Sequence, residues 1–284
     1  SIHGIDGRAM YLEDGATATV NGSIYDITSN ETMRSADGGN ADTGGGGALN
    51  GFGGIVFAIQ RNSSATLGET GTVYNIQSHD NTANDVLIWG GYGSRFTMEK
   101  GSSIVGTAGD VACVMDSDGM DVSIDGTIRD FNSKSPNTLI RTRNNDFTFT
   151  FGKNSIVENC SSNDAAVMYI QGASIQVNFN GVFRNITTKN RTTSTVFIAH
   201  TAGNNATCTF TGTMEDIEGS GLYISKDTSK LIVDGGTIRN CSGYAIKVDK
   251  QSDSCPIAQI KNGSVIENNS DYLQKARKYG HFTG

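Results

Sequence analysis

The densest reactive chemistry in this chain lies in Asp116-Ser117-Asp118-Gly119-Met120-Asp121, with Asp125 close behind. Carboxylates crowded around a glycine turn are oxygen ligands for a hard cation, which makes Asp116, Asp118 and Asp121 a candidate calcium site. No Glu arrives at the twelfth position, so the EF-hand pattern is incomplete, and a plain acidic turn is the simpler reading. Paired carboxylates can also cleave glycosidic bonds when they stand about 5 to 9.5 Å apart and one is held protonated. Asp116 with Asp146, or Asp80 with Asp85, could meet that distance, but chain spacing alone does not bring them together. The four histidines, at 3, 79, 200 and 281, are scattered and read as loop or turn residues rather than as bases.

A second chemistry is ring stacking. Trp89, Tyr169, Phe197, Tyr223 and Tyr11 occupy alternate positions of short apolar segments. Aromatic faces of this kind stack on the C–H faces of sugars, while Asn and Asp at the margins bond the hydroxyls. The plainer expectation is that so apolar a face is covered, by a partner subunit, a neighbouring domain or the long loops of the chain itself.

The elements that would carry these residues are repeats. A phrase made of a small turn residue, an apolar residue, an outward residue and Asn or Asp returns nine times. Its copies are anchored on Ile24, Val73, Val105, Ile128, Val157, Phe183, Met214, Ile238 and Ile266, at intervals of 23 to 49 residues. Such a period is that of one solenoid turn. Within each turn the pattern predicts three short strands with alternating apolar residues, as in Gly236–Cys241, Tyr244–Val248 and Ile257–Lys261. Stacking these turns predicts a ladder of Asp26, Asn75, Thr107, Asp130, Asn159, Asn185, Asp216, Asn240 and Asn268 where each first strand bends. Asn and Asp suit that place because they tolerate left-handed backbone and bond along the axis. On the outer face, Arg129, Glu158, Arg184, Glu215, Arg239 and Glu267 alternate in sign and predict a column of opposite charges.

This rung pattern resembles the right-handed parallel β-helix, the pectin-lyase-like architecture shared by polysaccharide lyases, some glycosidases, phage tailspikes and many bacterial surface adhesins. The resemblance spans about residues 8 to 269 and rests on the rungs rather than on a family-specific motif. It implies an all-β, single-stranded solenoid of about nine rungs. The polygalacturonase signatures Asn-Thr-Asp, Gly-His-Gly and Arg-Ile-Lys are absent, and no pectate-lyase motif is recognisable. The expected organisation is one solenoid over 1–269 with a Gly-rich loop at 28–54, followed by a cap or linker at 270–284 in which a short basic helix is expected. The Gly run lacks the Lys-Ser/Thr ending of a phosphate-binding loop.

Composition agrees with many short strands. The chain has 284 residues, 36 of them Gly and 2 Pro, and only 18% are charged. The net charge of -7 and the lack of a basic stripe argue against nucleic-acid binding. No run of about 18 apolar residues is present to cross a membrane as a helix. Five cysteines form no even disulfide set. Cys160 and Cys241, three rungs apart, would stand about 14 Å from each other, so buried reduced thiols are expected. Together these features predict an extracellular binding module, secreted or attached to a cell surface, that resembles bacterial adhesins and recognises glycans or a host surface. The alternatives are a polysaccharide lyase or glycosidase using the acidic cluster, and a structural stalk or oligomer. No cofactor is expected, with calcium the single candidate.

Overall fold

Alternation of apolar and polar residues over four to seven positions, broken by Gly, Asn or Asp, leaves the backbone one way to satisfy its polar groups: pairing with the turn above and the turn below. The computed structural model shows that arrangement. It describes residues 1–29, 54–78, 86–106, 113–133, 138–143, 146–162, 166–172, 174–188, 194–199, 206–225, 229–249, 257–261, 263–270 and 281–283. Among them the regular structure is all strand, arranged in three parallel sheets of 11, 9 and 10 strands. Each sheet takes every third described strand in chain order, apart from one short extra strand at Asn132–Ser133 in the first and the closing step to His281–Thr283 in the third. The molecule is therefore a parallel β-solenoid.

The core is a set of like-on-like columns. In the first sheet Ile24, Val73, Ile104, Ile128, Val157, Phe183, Met214 and Ile238 stack inward and are buried. Ile104 takes the place expected of Val105, which faces outward between Tyr74 and Arg129. The turn there is one residue shorter than the repeat suggested, so Gly106 stands where the Asn ladder was expected at Thr107. Thr107 itself lies outside the described residues. In the third sheet Phe151 and Phe179 stack with centroids 5.2 Å apart, and Phe183 packs edge-on against both. Burying one such ring contributes about 1.5–3 kcal/mol, and the ring geometry adds about 0.5–1.5 kcal/mol.

At the Asn and Asp positions the bend after the first inward residue is left-handed. Asp26, Asn75, Asp130, Asn159, Asn185, Asp216, Asn240 and Asn268 have φ between 51° and 64°, and Gly4, at the same position one turn before Asp26, has φ 65°. Their side chains bond along the axis. Asn159 Nδ2 donates to Asp130 Oδ1 at 3.0 Å, Asn185 Nδ2 to Asn159 Oδ1 at 3.2 Å and Asn240 Nδ2 to Asp216 Oδ1 at 2.8 Å. Asn75 donates to Asp26 in the same way. Where a third strand passes into the next turn, neighbouring rungs nearly touch: a Cβ on Gly212 would collide with the Gly181 carbonyl oxygen.

Outside the bend, two pairs of the expected charge column form. Arg184 Nη2 lies 2.6 Å from Glu158 Oε2, and Arg239 Nη2 lies 2.5 Å from Glu215 Oε2. Glu215, bonded to Arg239 and close in charge, pushes that guanidinium's pKa further up. Arg129 turns sideways to Asp130 instead, at 2.6 Å. Cys160, Cys208 and Cys241 are buried free thiols.

Two boundaries differ from the sequence reading. His281–Thr283 adds a strand to the third sheet beside Ile257–Lys261, so the solenoid takes in chain beyond residue 269. The strand Ile140–Arg143 enters the second sheet between Cys113–Asp118 and Ala166–Gln171. Its Arg-Thr-Arg sequence hides the apolar alternation that marks its neighbours. The expected helix at 271–279 and most of the Gly-rich loop, 30–53, lie outside the described residues.

Candidate functional site

In the second sheet the strand period of two puts alternate residues on the outer face, and register then fixes which of them are neighbours. Tyr11 stands beside Ala58, Ala58 beside Trp89, and Trp89 beside Asp116. The column continues from Asp116 to Arg141 and from Arg141 to Tyr169. It then runs through Phe197 and Tyr223 to Lys247. Successive residues are separated by one strand spacing of about 4.8 Å.

The five aromatics expected to form one platform are thus divided. Tyr169, Phe197 and Tyr223 occupy consecutive positions. Trp89 stands three steps from Tyr169, about 14 Å away, with Asp116 and Arg141 between them. Tyr11 lies two steps beyond Trp89 on the other side. Exposure divides them too: Tyr11 is 44% exposed, Tyr169 and Tyr223 are half-buried, and Trp89 is only 8% exposed. Trp89 therefore offers little ring surface. Lys247 Nζ sits 4.0 Å from the centroid of the Tyr223 ring, and the Arg8 guanidinium 5.4 Å from that of Tyr11, so two rings carry cations over their faces.

The neighbouring outward positions, Leu87, Val114, Leu139 and Val167, are each no more than 1% exposed. The chain itself covers this edge of the sheet. The third sheet behaves differently: its outward column of Thr66, Thr97, Ser123, Thr150, Asn178 and Thr209 is polar.

The acidic cluster is arranged otherwise than a turn would have it. Asp116 and Asp118 belong to the strand Cys113–Asp118 and point to the outer face, with Ser117 inward between them. Ser117 Oγ donates to the Met120 carbonyl at 3.0 Å and accepts from the Met120 N–H at 3.1 Å, closing the tight turn that follows. Asp116 has no exposed surface, and its Oδ2 accepts from Arg141 Nη2 at 2.6 Å. Asp121 opens the next strand, accepts the Thr148 N–H at 2.9 Å and lies 3.9 Å from Arg95. Asp125 accepts two bonds from Asn154. Among the described residues no group of three or more His, Cys, Asp or Glu side chains could hold a metal ion. The carboxylates adjacent in sequence are distributed over two faces and two sheets, and Asp116, Asp121 and Asp125 each have a protein donor. Asp80, Asp85, His79 and His200 lie outside the described residues.

Two features escaped the sequence reading. Arg141 joins the outer column because its strand does, and its apolar signal was too weak to find. On the first sheet, His3, Tyr25 and Tyr74 form a continuous stack, with centroids 4.8 Å and 5.0 Å apart. The repeat placed Tyr25 and Tyr74 on that face, but the turn carrying His3 lay before the first recognised copy.

Comparison of the chain with protein-family models, with curated proteins and with solved structures finds no match.

Proposed function

We propose that the chain is an extracellular binding module, of the kind that bacterial surface adhesins carry, and that it recognises glycans through the outer face of its second sheet. The observation that carries this reading is the run of three consecutive aromatic positions, Tyr169, Phe197 and Tyr223, closed by Lys247 over the Tyr223 ring. Aromatic positions repeated one strand apart on a stiff sheet suit a chain of sugars, because each sugar presents a C–H face and the sheet loses no freedom on binding. A right-handed coil of the pectin-lyase-like type belongs to the same proposal, since parallel strands joined by crossovers strongly favour that hand. The lyase or glycosidase alternative gains less support. It needs a reactive carboxylate, whereas Asp116 is buried against Arg141 and Asp121 holds a backbone N–H.

The test is capture of the protein on immobilised mucin glycans, comparing the parent with Tyr169→Ala/Tyr223→Ala. Loss of two stacking rings should weaken capture at least tenfold, about 1.4 kcal/mol or more, without lowering the melting temperature by more than a few degrees. Undiminished capture by the double variant would defeat the reading. Sugar fragments released into solution would transfer the same face to the enzyme class.

A further inference from the structure

The column that carries the aromatic run is not uniformly apolar. Asp116 and Arg141 interrupt it, although the residues beside them, Val114 and Leu139, are fully buried hydrophobics. Placing a carboxylate where it has no exposed surface is costly, and a hydrophobic pair of similar volume would commonly be as stable or more so. Packing alone therefore does not call for the pair. Its effect is directional: Asp116 holds Arg141 by an Nη2 to Oδ2 contact of 2.6 Å, while Arg141 keeps 24% of its side chain exposed. The guanidinium is fixed in place and still reaches the surface.

Position gives the pair a use. Arg141 adjoins Tyr169 at one end of the aromatic run, and Lys247 adjoins Tyr223 at the other. From Arg141 to Lys247 is four strand steps, about 19 Å. A cation thus stands at each end of three aromatic positions, and the one carboxylate in the column, Asp116, is buried and engaged. The outer column of the first sheet, by contrast, alternates Glu and Arg and so has little net charge of either sign.

We infer that this face selects anionic glycans, with a sugar carboxylate or sulfate received by Arg141, a second anionic group by Lys247, and the intervening sugars lying along the aromatic run, on Tyr169 and Tyr223. The planar guanidinium matches the paired oxygens of either anion, whereas the ammonium of Lys247 acts as a point charge. Asp116 is a positioning residue in this scheme. The inference rests on the glycan-binding reading above and adds the ligand class.

The experiment titrates the full chain with three polymers: hyaluronan, whose anions are all carboxylates, dextran sulfate, whose anions are all sulfates, and neutral dextran. One or both anionic polymers should bind at least tenfold more tightly than dextran, and which one does so identifies the anion. Asp116→Asn/Arg141→Gln, which removes both charges together, should remove most of that preference and leave only the share that Lys247 supplies. Lys247→Gln, a surface change that does not threaten folding, should reduce the preference severalfold by itself. Equal binding of all three polymers by the parent protein would overturn the inference, as would a preference unchanged in both variants. Neutral glycan captured through Tyr169 and Tyr223 without anion preference would defeat the inference alone. No glycan captured at all would remove the binding reading with it.

Discussion

Asp116 and Arg141, 25 residues apart in sequence, lie side by side on the outer face of the second sheet, with Asp116 Oδ2 2.6 Å from Arg141 Nη2 and the carboxylate wholly buried. Removing one member of such a pair strands the other. Arg141→Ala is expected to cost about 3–5 kcal/mol, and Asp116→Asn/Arg141→Gln distinctly less, because no uncompensated charge is left inside. Urea unfolding of the two variants checks this, and equal losses would show that the carboxylate is not held by the guanidinium.

The Asn ladder offers a backbone test. Asn159 has φ 53°, donates to Asp130 and accepts from Asn185. Asn159→Ala should lose about 1–2 kcal/mol from the left-handed backbone together with both side-chain bonds. Asn159→Gly should lose less, since glycine accepts that φ without penalty. Thermal melts of the pair give the order, and glycine proving the worse of the two would contradict it.

Reversing one rung of the charge column tests register. Arg184→Glu would place three acids in succession, between Glu158 on one side and Glu215 on the other. At low salt the loss should be about 1 kcal/mol, and most of it should vanish near 1 M salt, where the screening length falls to about 3 Å. A salt-independent loss would mean that the arginine acts through packing.

The buried thiols predict an alkaline limit to stability. Burial pushes Cys160 and Cys241 from 9.0 up to about 12, and Cys208 is likewise raised by burial. Above pH 9 the unfolded chain releases these protons while the folded chain keeps them, so stability is fully present below pH 9 and falls as pH rises toward 12. Each thiol contributes a slope of up to about 1.4 kcal/mol per pH unit. The variant Cys160→Ala/Cys208→Ala/Cys241→Ala should flatten the profile between pH 9 and 11 in denaturant titrations. In the native state at pH 8 these thiols should resist alkylation, and rapid labelling would show them to be accessible.

Much of the solenoid was legible in the sequence because its signals are local. Ile24, Val73, Ile128, Val157, Phe183, Met214 and Ile238 mark inward positions by strand alternation, and the Asn or Asp two residues later marks the bend. Glu158 and Arg184 could be paired from sequence because each sits at a fixed offset from such an anchor, so stacking the anchors stacks the charges. The Val105 anchor failed where one turn shortened by a residue, and a period-two strand then moves the neighbouring residue, Ile104, to the inside.

The sequence by itself determined the repeat, the parallel stacking and the outer charges of the first sheet, since all of these follow from short-range alternation and turn chemistry. Only the tertiary structure decided the composition of the second sheet's outer column. Loops of unequal length separate its strands, so nothing local shows that Trp89, Asp116, Arg141 and Tyr169 are consecutive neighbours. Hydrogen-bond register across the turns settles that order, and with it which ring is covered and which carboxylate meets an arginine.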